Sequence, residues 1–332
     1  MPLPRRLIAA IALLLVIPLH APVPAAVADK VKFNLSWLPQ GSTGGVLVAI
    51  GKGFYAEAGL DVSAVRGYGG QRTVNEIAQG LFEFGYGDPV SVMLNRAQGG
   101  ATVMVAALNT QWPAALCYVD RAGRTLKSLA DLKGLTLGGG AASPVHNIAP
   151  AWLALNGLPA THLKLLRLDP AVINTALLDG RIDLAECWEG ANRPVLEKLG
   201  RESGKTIKWL RYRDFSLNLY GNGIVTSAKL MAANPDLVRR FVKATLRGYE
   251  FQQQRPQEAV DVIVAQAKLL ERQTLLQQIL EANALVKDAD LTVPRGRIRD
   301  DRMLATVEFV KRAFSGTQSV RAADTYTNRF VE

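Results

Sequence analysis

Five side chains suited to holding a small molecule follow predicted strands along the first two-thirds of the chain. They are two indoles, two carboxylates and a hydroxyl: Trp37, Asp88, Ser143, Trp188 and Glu189. An indole offers a flat stacking surface, and a carboxylate accepts hydrogen bonds from an amine or amidine. Core packing of the indoles and capping of a helix by Asp88 are the alternative explanations. The set predicts a binding site for a small molecule.

Further candidates lie near these loops. Trp112 is a third indole, Tyr220 is a tyrosine that could reach a cleft, and Glu186 flanks the Cys187-Trp188 pair together with Glu189. Two carboxylates could serve acid–base catalysis, but nothing in the sequence marks a nucleophile or a leaving-group site. We therefore expect ligand binding and no catalytic residue.

A glycine-rich stretch, Gly138–Ser143, precedes a predicted helix. Backbone N–H groups at such a helix start attract anions. A tight strand-to-helix turn capped by Ser143 explains the stretch equally well. It is neither a Walker loop nor a dinucleotide-binding fingerprint, because the lysine and the glycine spacing are absent.

The chain contains two cysteines and three histidines. Two cysteines cannot build a multi-cysteine metal cluster, and His146 has no second histidine at ligand spacing. We expect no metal and no cofactor. Cys117 and Cys187 each lie near a predicted strand end, so a disulfide and two free buried thiols both fit, and we favour the thiols.

Strands and helices alternate after Asp29 and must position these side chains. The predicted strands are Val31–Leu35, Leu60–Val65, Phe82–Tyr86 and Thr102–Leu108, then Leu135–Leu137, Leu163–Leu168, Ile182–Cys187 and Ile207–Tyr212. From Ser227 onward the pattern is mostly helical, with predicted helices at Pro235–Gln254, Pro256–Leu270, Gln273–Ala284 and Asp301–Phe314. Repeated β-α-β units predict an α/β fold of two lobes, with parallel sheets covered by helices on both faces. Ligands bind beyond the carboxyl ends of such strands.

The N-terminus predicts a secretory signal peptide, residues 1–28. Arg5 and Arg6 precede an apolar run, Leu7–Leu19, and the small-residue site Ala26-Val27-Ala28 follows. A membrane anchor is the alternative, but the run is too short to span a bilayer. Cleavage after Ala28 would yield a periplasmic protein and reduce the net charge from +10 to +8. Because both signs of charge are interspersed, we expect no nucleic-acid partner.

From Val31 to about Ile263 the chain resembles the periplasmic solute-binding proteins of ABC importers in the nitrate, sulfonate and taurine group, which includes the binding proteins for thiamine pyrimidine precursors. Five elements carry the resemblance in chain order: Gly51–Val62, Ile77–Gly85, Leu129–Gly134 with Gly138–Ser143, Ala176–Asp183 with Trp188-Glu189, and Asn234–Gly248. Each element alone is weak evidence for the family, but all five in the family's order are specific evidence for it. The chain departs from the family pattern at Glu83, where Asp is usual, and at Gly190, where Pro is usual.

The resemblance implies a type II periplasmic-binding-protein fold, in which two α/β lobes joined by a two-strand hinge hold a ligand in the interlobe cleft. Lobe 1 would comprise residues 29–116 and 222–332, and lobe 2 residues 117–221, with crossings near Leu116–Val119 and Leu219–Ile224. The resemblance also implies a monomer that delivers its ligand to importer permease subunits at the inner membrane. The five side chains listed first would lie in the family's pocket loops.

Three ligand or activity classes stay open at this point. Ser36–Gln40 is most similar to the pyrimidine-precursor binders, which hold a flat ring against aromatics, so a heterocycle such as a thiamine pyrimidine precursor ranks first. Sulfonate, taurine, nitrate or another small anion ranks second, because only Arg72 lies near one of the loops. A pyrimidine-synthase-like enzyme ranks third, since those enzymes carry a cysteine-rich motif and a lysine for pyridoxal phosphate.

Overall fold

A computed structural model of the protein describes residues 27–121, 126–141, 143–286 and 294–331. The signal-peptide prediction falls almost wholly outside the described residues, so cleavage after Ala28 stays a prediction. Within these ranges, no helix combines the length and apolar character that crossing a membrane requires.

Ten strands form two five-stranded sheets. Sheet 1 has the order β2-β1-β3-β10-β4 and contains β1 (Asp29–Asn34), β2 (Leu60–Val65), β3 (Phe84–Gly87), β4 (Thr102–Ala107) and β10 (Gly223–Ser227). Sheet 2 has the order β7-β6-β8-β5-β9 and contains β5 (Ala114–Val119), β6 (Thr136–Gly140), β7 (Lys164–Leu168), β8 (Leu184–Trp188) and β9 (Ile207–Arg211).

Helices connect and cover the strands of both sheets. Before β9 they are α1 (Gly44–Gly51), α2 (Phe54–Glu57), α3 (Gly70–Ala78), α4 (Pro89–Ala97), α5 (Val145–Leu155), α6 (Ile173–Leu178) and α7 (Asn192–Glu202). After the second sheet come α8 (Ala228–Ala233), α9 (Pro235–Gln254), α10 (Pro256–Gln266), α11 (Arg272–Val286), α12 (Asp300–Ala313) and α13 (Ala322–Thr325). This arrangement confirms the α/β class with two lobes.

The prediction of all-parallel sheets is wrong, because one strand of each sheet runs the other way. β10 pairs antiparallel with β3 and β4, and β5 pairs antiparallel with β8 and β9. Each of these strands is the first that the chain forms after it crosses from the other sheet. No β-α-β crossover therefore sets its direction.

The chain leaves sheet 1 after Ala107 and returns to it at Gly223. Two connecting segments run side by side there: the Leu108 N–H donates to Asn222 O (2.9 Å) and the Trp112 N–H to Leu219 O (3.1 Å). β5 belongs to sheet 2 as a whole, so a lobe boundary between residues 116 and 117 would divide a strand. We propose residues 108–113 and 212–222 as the hinge segments, and the lobe division stays a proposal.

The core of the first lobe is built around α9, which begins at Pro235 with the Asn234 side chain as its cap. Phe241 on the buried face of α9 stacks on Phe84 of β3, with ring centroids 3.9 Å apart. α1 can approach α9 closely because Gly45 and Gly248 meet; a Cβ on Gly248 would lie 2.0 Å from Gly45 O. This packing fixes the end of β1 and the loop that follows it.

Cys117 and Cys187 form a disulfide, so our expectation of two free thiols is wrong. Cys117 lies in β5 opposite Ala185, and Cys187 lies in β8 opposite Ala115. The two cysteines are diagonal neighbours on adjacent antiparallel strands, with their Cα atoms 5.5 Å apart. The strand register, which the sequence does not reveal, brings them together.

Candidate functional site

A cavity of about 650 Å³ lies between the two sheets, at the loops that follow their strands. This volume is in the usual range for small-molecule sites. Its lining includes five of the side chains singled out from the sequence: Trp37, Asp88, Ser143, Trp188 and Glu189. The carboxyl ends of strands from both sheets converge here, which is why residues so distant in the chain share one cavity.

Trp188 ends β8 and is half-buried on the cavity wall. Its ring meets Trp112 edge to face, with centroids 5.6 Å apart and an interplanar angle of 85°. Trp112 is buried behind it and is not part of the lining, contrary to our expectation. Trp188 can therefore stack on a flat ligand while Trp112 holds its orientation.

Tyr220, also expected in the site, lies outside the cavity lining. It is fully buried; its N–H donates to Thr306 Oγ1 (2.8 Å) and its hydroxyl to Arg297 O (3.4 Å). These contacts tie the return connection between the sheets to the C-terminal helices. Tyr220 therefore packs within the proposed hinge segment 212–222.

Trp37 is presented by an unusual turn after β1. Ser36 has φ +64°, a left-handed conformation that costs a non-glycine residue on the order of 1 kcal/mol. The Ser36 N–H donates to Asn34 Oδ1 (2.8 Å), and the Gly69 N–H donates to Ser36 O (2.8 Å). These hydrogen bonds hold the turn and aim it at the cavity.

Asp88 performs the capping role and also lines the cavity. Its carboxylate accepts from the Ser91 N–H (2.9 Å) and the Ser91 hydroxyl (2.8 Å) at the start of α4. Burial raises the pKa of Asp88, and the hydrogen bonds from Ser91 oppose that rise. The carboxylate is therefore already engaged by its own helix.

Glu189 is held by an arginine that the sequence did not identify. Both oxygens of Glu189 accept from Arg213: Nη2 donates to Oε2 at 2.9 Å, and Nη1 pairs with Oε1. The two side chains are 10% and 14% exposed, respectively. A bidentate, mostly buried pair neutralises the Glu189 charge, so this carboxylate is not free to receive a ligand amine.

Glu186 is the carboxylate that keeps a free acceptor. It is 5% exposed and lines the cavity. Oε1 accepts from the Gly140 N–H at 2.8 Å, whereas Oε2 accepts no hydrogen bond from the described residues. Burial raises the pKa of Glu186, and the polar groups of Ser143, Gly140 and Trp188 around it oppose the rise. Oε2 is itself buried beside Gly139, where an added Cβ would lie 3.2 Å from it, and Gly139 is not part of the cavity lining.

Gly138–Gly140, the first half of the glycine-rich stretch, belong to strand β6. A Cβ on Gly138 would lie 2.5 Å from Ile182 Cδ1, so close packing requires glycine there. The Gly140 N–H is occupied by Glu186, and the Ser143 hydroxyl accepts from the Val145 N–H (3.3 Å). An internal carboxylate thus occupies the amide on which an external anion would depend.

His146 lies in the first turn of α5, beside Gly139. It is buried, and burial lowers its pKa, so the imidazole is neutral at physiological pH. No group of three His, Cys, Asp or Glu side chains able to hold a metal ion occurs in the part of the chain that the structure describes.

The cationic side chains near the cavity lie at its rim. Arg66 lines the cavity, is exposed, and stacks on Tyr68 with its Cζ 4.5 Å from the ring centroid. Arg72, the arginine noted from the sequence, also lies over the Tyr68 ring, with its Cζ 4.8 Å from the centroid, and pairs with Glu76 at 2.7 Å. Among the described lining residues, Arg66 is the only Lys or Arg.

Several lining residues were missed by the sequence reasoning. They are Arg66, Asp169, Asn192, Asn222 and Gln278. Asn192 fixes the strand end, because Trp188 N–H donates to its Oδ1 (2.8 Å) and its amide donates to Glu186 O (3.1 Å). Gln278 lies on α11, far along the chain, and no local pattern relates it to the other loops.

Two sheets joined by paired connections, with a cleft between them, define the type II periplasmic-binding-protein fold. The alkanesulfonate-binding protein SsuA from Xanthomonas axonopodis pv. citri, bound to MOPS, has the same fold, with a TM-score of 0.67 at 15% identity over 91% of this chain and 99% of that one.

The family model described as NMT1/THI5 like matches residues 40–259, and the chain belongs to this family. A riboflavin-binding protein, RibY, from Chloroflexus aurantiacus is 28% identical over 326 residues, which is 95% of this chain and 90% of the relative. A formylaminopyrimidine-binding protein from Halalkalibacterium halodurans is 24% identical over 238 residues, or 71% of this chain and 70% of the relative.

Proposed function

We propose that this chain is the solute-binding component of an ABC importer and that its ligand is a flat nitrogen heterocycle bearing N–H donors, such as a thiamine pyrimidine precursor. Trp188 would supply the stacking surface and Glu186 the polar anchor. Trp37, Asp88 and Ser143 would complete the wall. Glu189 would act through its pair with Arg213, and Trp112 would support Trp188 from behind.

The observation that carries this proposal is the buried carboxylate of Glu186 on the cavity wall, in the same strand end that presents Trp188. A ring N–H, amine or amidine placed against Trp188 would donate to it. Such a charge-assisted hydrogen bond contributes about 1.5–3 kcal/mol. Asn222, also on the lining, is a second polar side chain at the cavity.

The same features disfavour a small anion. Sulfonate and nitrate only accept hydrogen bonds, and they would meet the carboxylates of Asp88 and Glu186 inside the cavity. The Gly140 amide is taken by Glu186, and the lining arginine Arg66 is exposed at the rim. The likeness to a sulfonate-binding protein concerns the fold at 15% identity.

Two relatives support a heterocyclic ligand, because their names denote riboflavin and a formylaminopyrimidine, both flat nitrogen heterocycles. Catalysis has little support. Among the described lining carboxylates, Glu189 is engaged by Arg213, Asp88 by Ser91 and Asp169 by the Ala171 N–H, which leaves no free pair for acid–base work. We further propose a periplasmic monomer that closes on its ligand and docks on the importer's permease subunits.

Native mass spectrometry of the purified protein, followed by a thermal-shift screen, tests this proposal. The panel should contain aminopyrimidines, riboflavin, taurine, alkanesulfonates and nitrate. A heterocycle present at 100 times its Kd should add about 2.7 kcal/mol to the free energy of unfolding. Glu186→Gln should reduce this gain, whereas Glu197→Gln, outside the cavity lining, should not. Stabilisation by sulfonates or nitrate alone would contradict the proposal.

A further inference from the structure

Helix α11 contacts both sides of the cleft through one buried side chain. Gln278 Oε1 accepts from the Gly41 N–H at 3.1 Å, and Gln278 Nε2 donates to Ala191 O at 2.6 Å. Gly41 belongs to the turn after β1 of sheet 1, and Ala191 follows β8 of sheet 2. The Gln278 amide therefore joins the two lobes at the cavity wall.

Glu281, one turn further along α11, makes a second connection. Its Oε2 accepts from the Gly190 N–H at 2.8 Å, and its Oε1 pairs with Arg193 Nη2. The side chains of Glu281 and Arg193 are 14% and 16% exposed. The Ser42 N–H also donates directly to Gly190 O at 2.9 Å, so backbone and side chains bridge the lobes at the same turn.

Residues 190–193 form a turn that packs closely against α11. Gly190 has φ +70°, and a Cβ added to it would lie 2.9 Å from Ala282 Cβ. Glycine is therefore needed at this position both for its backbone conformation and for close approach. A proline here could neither donate the N–H to Glu281 nor adopt this φ.

The far end of α11 is anchored at the proposed hinge. Leu285 O accepts from the Thr110 N–H (3.0 Å) and from the Thr110 hydroxyl (3.2 Å). The middle of α11 packs on the Gly41–Thr43 turn of the first lobe, where a Cβ on Gly41 would lie 2.4 Å from Gln278 C. Opening of the cleft would leave these anchors in place and would break the contacts to residues 190–193.

We propose that α11 is an interlobe latch, in which Gln278 and Glu281 bind the 190–193 turn and hold the two lobes closed over the cavity. The inference rests on the proposed function, because the purpose of the latch would be to retain a bound solute. Opening of the cleft would separate the mostly buried Glu281–Arg193 ion pair. This pair therefore stabilises the closed state before any ligand adds its own contacts. Glu281 does not line the cavity, and its effect on a ligand would act through closure.

Arg193 provides a matched pair of variants. It pairs with Glu281 across the lobes and with Glu197 along α7 of its own lobe. Glu281→Gln removes the interlobe charge, and Glu197→Gln removes the intralobe charge. Both substitutions keep the size of the side chain.

The test uses double electron–electron resonance on ligand-free protein. Spin labels on Asp61→Cys and Lys164→Cys, exposed positions on the outer strands β2 and β7, report the distance between lobes. Cys117 and Cys187 are paired and take no label. We expect Glu281→Gln to lower the closed-to-open ratio about tenfold. Glu197→Gln should match the parent distribution.

Identical distance distributions in all three proteins would overturn the latch. Hydrogen exchange on the unsubstituted protein gives a second test that does not depend on a variant. The Ser42 and Gly190 amides should be protected and should exchange together, and rapid exchange of both would also overturn it. Neither measurement needs a ligand, so a failed ligand screen would count against the proposed function alone.

Discussion

Removal of the Cys117–Cys187 disulfide should lower the free energy of unfolding by about 4 kcal/mol. The bond joins residues 70 positions apart, and the chain-entropy relation assigns a loop of that length about 4.4 kcal/mol at 25 °C. For a chain of 332 residues this corresponds to a fall in Tm of about 6 °C. Because Cys187 lies between Glu186 and Trp188, loss of the bond should also loosen the strand end that lines the cavity.

The assay compares the parent protein with the Cys117→Ala/Cys187→Ala variant, each melted with and without reductant. The parent should lose stability in reductant, whereas the double variant should melt at one temperature in both conditions. Thiol titration of the oxidised parent in denaturant should find no free thiol. Two titratable thiols per chain, or a parent Tm that is the same with and without reductant, would refute the reasoning.

Three further perturbations test the site. Trp188→Ala should weaken ligand binding about fivefold or more in titration calorimetry, since stacking contributes about 1 kcal/mol. Trp209→Ala, outside the cavity lining, should leave the affinity unchanged. An equal loss of affinity in both variants would contradict the assignment of Trp188 as the stacking surface. Asp88→Ala should cost about 1 kcal/mol of stability in urea denaturation by removing the cap of α4, whereas Asp88→Asn keeps it; equal costs would contradict the capping role. Because burial raises the pKa of Glu186, the native state binds a proton that the unfolded chain has released, and stability falls as pH rises from the group's ordinary pKa through its raised native pKa. Melting curves across that window should show a smaller fall for Glu186→Gln, and identical pH profiles would count against the raised pKa.

Much of the fold could be predicted from local pattern. Strand β2 at Leu60–Val65 and helix α9 at Pro235–Gln254 have the predicted bounds, because alternation of apolar residues marks the strand and Asn-Pro marks the helix start. The directions of β5 and β10 could not be predicted, since they depend on the path of the chain between two sheets. The disulfide was missed for a related reason, because it depends on the register of β5 against β8.

The candidate site was predicted as far as it depends on strand ends. Residues that follow strands line the cavity, because those ends converge in this fold. Trp112 was misplaced because its burial behind Trp188 is a matter of three-dimensional packing. The pairing of Arg213 with Glu189 and the reach of Gln278 into the cleft involve contacts between distant segments, which no spacing in the sequence encodes. That these residues contact a ligand stays a prediction.

Titration calorimetry of ligand-stripped protein against an aminopyrimidine, riboflavin and an alkanesulfonate tests the proposed binding mode most directly. At least one of the heterocycles should bind, the sulfonate should give no heat of binding, and Glu186→Gln should weaken the heterocycle about tenfold through loss of a charge-assisted hydrogen bond. Binding of the sulfonate in place of both heterocycles, or a heterocycle affinity unchanged by Glu186→Gln, would contradict the account.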